Sequence, residues 1–391
     1  MKFSKTQVAL NSLMRLLQVL LGVAGWVGAG LILGLHLHSD FQPFLSMILA
    51  SGLGVIAAVV HEGGHYLGAR LHGMQVLMMR VAAVEIQVRR RNWQIRWSPQ
   101  LKGRSLGGYV MAVPNLQVPL RQQMLWIVLM GPMTNLLMGL AAGGLGWFTE
   151  GLMSAFFLAF ALLNLGMALA NLVPTSRILP SDGKLLIIWW QHRDDKRADL
   201  AQTRLLAMSV AGVAYEQLPD SDIAQLSQGA MPQPLIALSY RLSALLNQGD
   251  FQAAAQLEEH LEAMLQDHVQ SLEGMGTLIT LLRAEFAFVR AYLEQDARYL
   301  WNDWTNRDLD WHCPWLRQRC AALREFLQGD LQQAERYLQQ ALATADNSIL
   351  PTTRHSEALM ADSLRALSAA VQSKGLEPER EPYPRLQQAP H

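Results

Sequence analysis

Long stretches without charge decide what this chain can become. Ser105 to Ser181 holds only three charged residues, Arg121, Glu150 and Arg177, and Phe44 to Val60 holds none. Apolar runs of this length match the ~20 residues that cross a bilayer. In lipid every backbone polar group must be bonded within its own segment, so such runs have to be helices. Four fit the pattern, at about 16–37, 44–71, 124–148 and 152–173. The first is too long for the apolar core of a signal peptide and no small-residue cleavage site clearly follows it, so it reads as a retained span.

The charges that remain are unevenly shared. Met1 to Trp190 carries 14 Lys and Arg against 5 Asp and Glu, whereas the rest carries 18 against 27, so a formal net charge of zero hides +9 beside −9. An apolar, basic part is joined to a soluble, acidic one, each long enough for its own core. The expected architecture is therefore an all-α polytopic membrane protein of about four transmembrane helices with a small β-hairpin insertion, followed by a soluble α-helical repeat-like domain. Its parts are 1–190, 191–372 and a tail, 373–391, whose Pro and Glu content predicts disorder. Two cysteines, Cys313 and Cys320, provide no disulfide framework and suit a reducing compartment.

Residues 76–112 interrupt the helices. Val84 to Val88 and Trp93 to Trp97 alternate in polarity around Arg90-Arg91-Asn92, which predicts a β-hairpin. Gly107-Gly108-Tyr109-Val110 predicts a third short strand. Arg70, Arg80, Arg89, Arg90, Arg91, Arg96, Lys102 and Arg104 face a single acid here, Glu85. With the basic N-terminus inside, the second span runs inward and this basic stretch falls inside too, as the positive-inside rule asks. Its expected neighbours are anionic lipid headgroups, and no nucleic-acid partner is expected beside membrane spans. Both termini are then cytosolic in a multi-pass membrane protein, of the inner membrane if the cell is bacterial.

The second span ends in His61-Glu62-Gly63-Gly64-His65. Ionisable groups in an apolar span are costly and functional by default. Residues four apart share a helix face, so His61 and His65 can bind one Zn2+, with Glu62 beside them as general base. The paired glycines suggest close backbone approach at this site. A catalytic zinc needs a third protein ligand. Asp182 is the carboxylate that arrives at the same end of the spans, and an ordinary turn residue before Gly183 is the other reading of it. In the third span Gly131, Asn135, Gly139 and Gly143 recur every four residues, a stripe for close helix packing. Asn135 either packs there or hydrogen-bonds near the site. Asn164 and Asn171 share one face of the fourth span.

HEGGH in one span, Gly131-Pro132-x-x-Asn135 in the next, and Asn171-x-x-Pro174 followed by Asp182-Gly183 resemble the site-2 protease family of intramembrane zinc metalloproteases. Gly107-Gly108-Tyr109-Val110 is similar to the glycine-tyrosine strand before that family's third helix. The resemblance covers about the first 190 residues. It implies His61, His65 and Asp182 as zinc ligands, Glu62 as catalytic base and Asn171 near the scissile carbonyl. The one departure is the spacer from Thr175 to Ser181, seven residues long and longer than the family usually carries. A helical substrate hides its carbonyls, and an edge of the predicted sheet, Gly107 to Tyr109 included, can hold it extended by strand addition.

In the acidic part, Gly249-Asp250-Phe251 with Ala254, Leu257 and Leu261 matches Gly329-Asp330-Leu331 with Ala334, Tyr337 and Ala341 at identical offsets. The step looks like the second half of a tetratricopeptide repeat, a scaffold that binds peptides or regulatory proteins. Two functions follow from the sequence. One is a zinc endopeptidase cutting membrane-spanning or membrane-associated substrates, with a cytosolic helical domain that selects or regulates. The alternative is a catalytically inactive membrane scaffold whose helical domain recruits partners.

Overall fold

A computed structural model describes residues 5–37, 42–98, 108–176, 180–191, 200–267, 272, 274–300 and 307–373. Gly107 and most of the C-terminal tail, 374–391, lie outside the described residues. The chain divides into two compact units, Met1–Arg197 and Ala198–His391.

The first unit is built on α1 (Lys5–Gly34), α2 (Gln42–Leu71), α3 (Leu120–Phe148) and α4 (Gly151–Leu172). Each contains an apolar stretch long enough to cross a membrane, of 26, 30, 29 and 22 residues. Their common core is small-residue packing, with Ala29, Ala50, Ala57, Ala155 and Ala159 fully buried around Leu33 and Leu163. Small side chains bring the helix axes close, which is how spans associate where lipid is as apolar as leucine. Larger apolar residues point outward: Leu20, Ile48, Val55, Leu137 and Leu140 are exposed on α1, α2 and α3. An apolar surface of that extent requires lipid rather than water. α1 begins about three turns before Leu16, because Asn11 and Arg15 find partners within the unit.

Between α2 and α3 the chain forms a four-stranded antiparallel sheet in the order β3-β2-β1-β4. The strands are β1 (Gln75–Val81), β2 (Val84–Val88), β3 (Trp93–Trp97) and β4 (Gly108–Val113). The β2–β3 hairpin has the register its alternation predicts, Val84 opposite Trp97 and Val88 opposite Trp93. Glu85 is buried opposite Arg96 and bonded to it at 3.2 Å. β1 extends the expected hairpin into a sheet. It pairs on both edges, and its Gln-Val-Leu-Met-Met-Arg-Val sequence carries no two-residue alternation to announce it. After α4 a short helix, α5 (Asp182–Gln191), packs against α3 and α4.

The second unit is helical: α6 (Ala201–Val210), α7 (Asp220–Ser227), α8 (Gln233–Asn247), α9 (Phe251–Asp267), α10 (Gly276–Glu294), α11 (Arg307–His312), α12 (Pro314–Leu327), α13 (Leu331–Asp346) and α14 (Pro351–Ser373). The two copies of the Gly-Asp step make the same turn. Gly249 and Gly329 both lie in the left-handed region, at φ 74° and 81°. Asp250 and Asp330 each accept from the backbone N–H three residues on, at 3.0 and 2.9 Å. Each turn reverses the chain between two helices, α8 into α9 and α12 into α13. Cys313 is half-buried and Cys320 buried, both as free thiols.

Candidate metal centre

The HEGGH run occupies the last turns of α2, and its two histidines are fixed from behind. His61 Nδ1 lies 2.6 Å from Asn135 Oδ1 on α3. The Asn135 amide nitrogen donates to Ala57 O at 3.0 Å and to Asn164 Oδ1 on α4 at 2.7 Å, and Asn164 in turn donates to Phe160 O at 2.8 Å. That chain orients each amide, so Asn135 presents an acceptor and His61 Nδ1 carries the proton. His65 Nδ1 lies 2.6 Å from the carbonyl of Ile127, which can only accept. In its neutral form each ring is therefore the tautomer protonated at Nδ1 and bare at Nε2.

The two bare nitrogens converge. His61 Nε2 and His65 Nε2 stand 3.2 Å apart. The Asp182 carboxylate, on the first residue of α5, stands 3.0 Å from His61 Nε2 and 3.5 Å from His65 Nε2. Asp182 Oδ2 is buried without a hydrogen-bond donor, as is Glu62 Oε2. Lone pairs and a carboxylate gathered in this way repel one another unless a cation lies among them. Ligands held tetrahedrally at ~2.0–2.1 Å stand roughly 3.3 Å apart, the separation seen here. Among the described residues, His61, His65 and Asp182 form the group able to hold a metal ion, and the two-histidine, one-carboxylate set fits zinc with a position left open.

Asp182 reaches this place in spite of the long spacer because the spacer is pinched at its base. Ser176 and Pro180 pair as an antiparallel bridge. Ser181 N donates to Thr175 O at 3.0 Å, and Ser181 Oγ accepts from Thr175 N at 2.9 Å while donating to Val173 O at 2.7 Å. Ser181 also accepts from Lys184 N at 3.3 Å, so it serves as the N-cap of α5 and sets Asp182 in the first helical turn. Gly183 is packed so closely on the Leu172 carbonyl that a side chain there would strike backbone. Residues 177–179 lie outside the described residues.

The remaining candidates fall on both sides of the site. A Cβ at Gly131 would collide with the His65 ring, and one at Gly108 would collide with the Glu62 carboxylate. Of the Gly63–Gly64 pair only Gly64 meets a neighbour, the α3 backbone at Met130. β4 thus runs over the catalytic-base candidate, and Tyr109 sits next in that strand opposite Arg80. Asn171 is half-buried in the last turn of α4, and it is Asn164, fully buried one face-repeat earlier, that joins the network behind His61. Their shared face was legible; which of them joins Asn135 behind His61 depends on the α3–α4 crossing.

A model of peptidase family M50 matches residues 48–281, more than half of the chain. The chain belongs to peptidase family M50. This is the site-2 protease family, so the membrane-protein architecture and a membrane metalloprotease activity in general go together. Neither curated proteins nor solved structures give a match. The M50 match opens inside α2, takes in the HEGGH run, the sheet and α3 to α5, and ends in α10; α1 precedes it.

Proposed function

We propose that this M50 protein is a zinc endopeptidase cutting membrane-spanning or membrane-associated protein substrates, with His61, His65 and Asp182 as ligands and Glu62 as base. The observation that carries the reading is the convergence of two Nδ1-tethered imidazoles and one carboxylate beside a buried, unpartnered glutamate oxygen. Bound there, zinc supplies Lewis acidity that polarises the scissile carbonyl and acidifies water. Glu62 accepts the proton of the attacking water and returns it to the leaving amine. Asn135 and Ile127 O hold the imidazoles in the ligating tautomer. Asn171, at the end of α4, retains the carbonyl-binding role that the family pattern assigns.

β4 is an edge strand of the sheet and passes Glu62 at Gly108, which supports substrate binding in extended form along that edge. The N-terminal end of α1 meets Ser176, on the side where α2 ends, and the basic residues of that side support a cytosolic active site and cytosolic termini. The helical unit, with its two tetratricopeptide-like turns, is read as the surface that selects substrate or takes a regulatory protein.

The test is cleavage of single-span substrates by purified, zinc-loaded full-length protein and by Glu62→Gln. Turnover should fall by about 10²–10⁴-fold with zinc retained. Undiminished turnover in the variant would remove Glu62 from the mechanism. Peptide substrates N-methylated at amides flanking the scissile bond should be cut more slowly if β4 pairs with them, and equal rates would refute strand addition.

A further inference from the structure

One face of α1 is polar where it has every reason to be apolar. Between Ala9 and Leu21 the residues turned inward are Asn11, Met14, Arg15, Gln18 and Leu21, spaced as one helix stripe, while Leu13, Leu16, Leu17, Val19 and Leu20 are exposed. An arginine in a span is expensive unless it is paired. All three polar side chains on this stripe bond to the segment that leads into Asp182. The Asn11 amide grips Ser176 by both backbone groups, accepting from its N at 3.1 Å and donating to its O at 3.2 Å. Arg15 Nη2 donates to the same carbonyl. Gln18 Oε1 accepts from Thr175 Oγ1 at 2.9 Å.

Thr175 and Ser176 are the base of the pinch described above, and Thr175 is bonded in both directions to Ser181, the residue before Asp182. A path of hydrogen bonds therefore runs from the α1 stripe through Thr175 to Ser181, the residue that immediately precedes Asp182. α1 lies ahead of the residues that match the family, and the spacer it grips is the one longer than the family's usual form.

We infer that Asn11, Arg15 and Gln18 are positioning residues that hold the long spacer so that Asp182 meets His61 and His65, and that α1 thereby sets how firmly the site retains its metal. The inference rests on the zinc reading above. It differs from a packing role for α1 in one respect: removing the polar groups while keeping side-chain volume acts on the third ligand rather than on the helix bundle.

The experiment compares zinc-loaded full-length protein in micelles with the triple variant Asn11→Leu/Arg15→Met/Gln18→Leu, with Arg15→Lys, and with the near-isosteric Thr175→Val on the spacer side. Zinc retention is read by competition with a chelator. Amide exchange of Thr175, Ser176 and Ser181 is read in the metal-free proteins. The triple variant should bind zinc about tenfold more weakly, the low end for loss of groups that orient ligands. Thr175→Val should move the same way by less, and Arg15→Lys should stay near wild type. The three amides should exchange faster in the metal-free triple variant than in metal-free wild type. Unchanged exchange, or faster exchange with wild-type zinc affinity, overturns the inference and leaves the zinc reading standing. A triple variant that loses its helical fold while Thr175→Val behaves as wild type also overturns it. Zinc-free wild-type protein removes the zinc reading and this inference together.

Discussion

Both units bury a cluster of charged or ionisable groups, and the two clusters are built in opposite ways. In the helical unit Arg319 lies between two carboxylates, with Nη1 on Glu357 at 2.7 Å and Nη2 on Glu285, and its guanidinium stacks over Phe288 at 4.6 Å. Cation and anions are supplied by the same chain, so the cluster is closed in charge, with Arg319 Nε left without a hydrogen-bond partner. In the membrane unit two imidazoles turn bare nitrogens toward each other and toward a carboxylate, with Glu62 Oε2 and Asp182 Oδ2 unpartnered. A bound cation, or a proton on one of the rings, would neutralise this group. Burial alone therefore does not mark a candidate metal site; converging ligand atoms that a single cation could bridge do.

Variants can break that contrast, and the largest effect is expected in the closed cluster. Arg319→Met leaves the buried Glu357 and the half-buried Glu285 without a cation and should destabilise the helical unit by about 3–5 kcal/mol. Chemical unfolding followed by exchange of α12 amides measures it, and zinc content should not change. An equal loss of zinc would show that the clusters are not independent. Next in size, Asn135→Leu frees His61 Nδ1 and should weaken zinc binding by about 10–100-fold, as read by chelator competition, with the helical unit unaffected. Wild-type affinity would mean that the Asn135–Asn164 chain is packing only.

A pH dependence is also expected in the closed cluster. Burial pushes the Glu357 carboxyl up to about 7 from 4.5, against the opposing pull of Arg319. A carboxyl raised in the folded state favours folding while it is protonated. Its contribution is full below pH 4.5, shrinks as pH rises toward 7 and is gone above that. The stability of wild type minus that of Glu357→Gln should fall over this window and be flat above it. A difference that is level from pH 4 to 8 would contradict the assignment.

What the sequence disclosed was whatever a local pattern can carry. The four-residue spacing of His61 and His65, the two-residue period of Val84–Val88 and Trp93–Trp97, and the charge-free spans each report on a single element, and each was readable. β1 was not, because its sequence carries no two-residue alternation and its pairing on both edges leaves no local signal. The Ser176–Pro180 pinch joins residues across a gap and left no period to read, so how the long spacer brings Asp182 to the histidines was not legible. Asn11, Arg15 and Gln18 did carry a signal, polar groups at i, i+4 and i+7 at the head of an apolar helix. That pattern says only that the face has a partner, and the partner, Thr175–Ser176, is about 160 residues away.

The central claim is that one metal ion supplies the missing charge at the membrane cluster, and the most direct measurement is metal content. Full-length protein purified in micelles should hold one zinc per chain, Glu62→Gln should hold the same, and Asp182→Asn should lose most of it during dialysis. Wild-type protein that is folded but zinc-free, or an Asp182→Asn variant that keeps its zinc as firmly as wild type, would contradict the account.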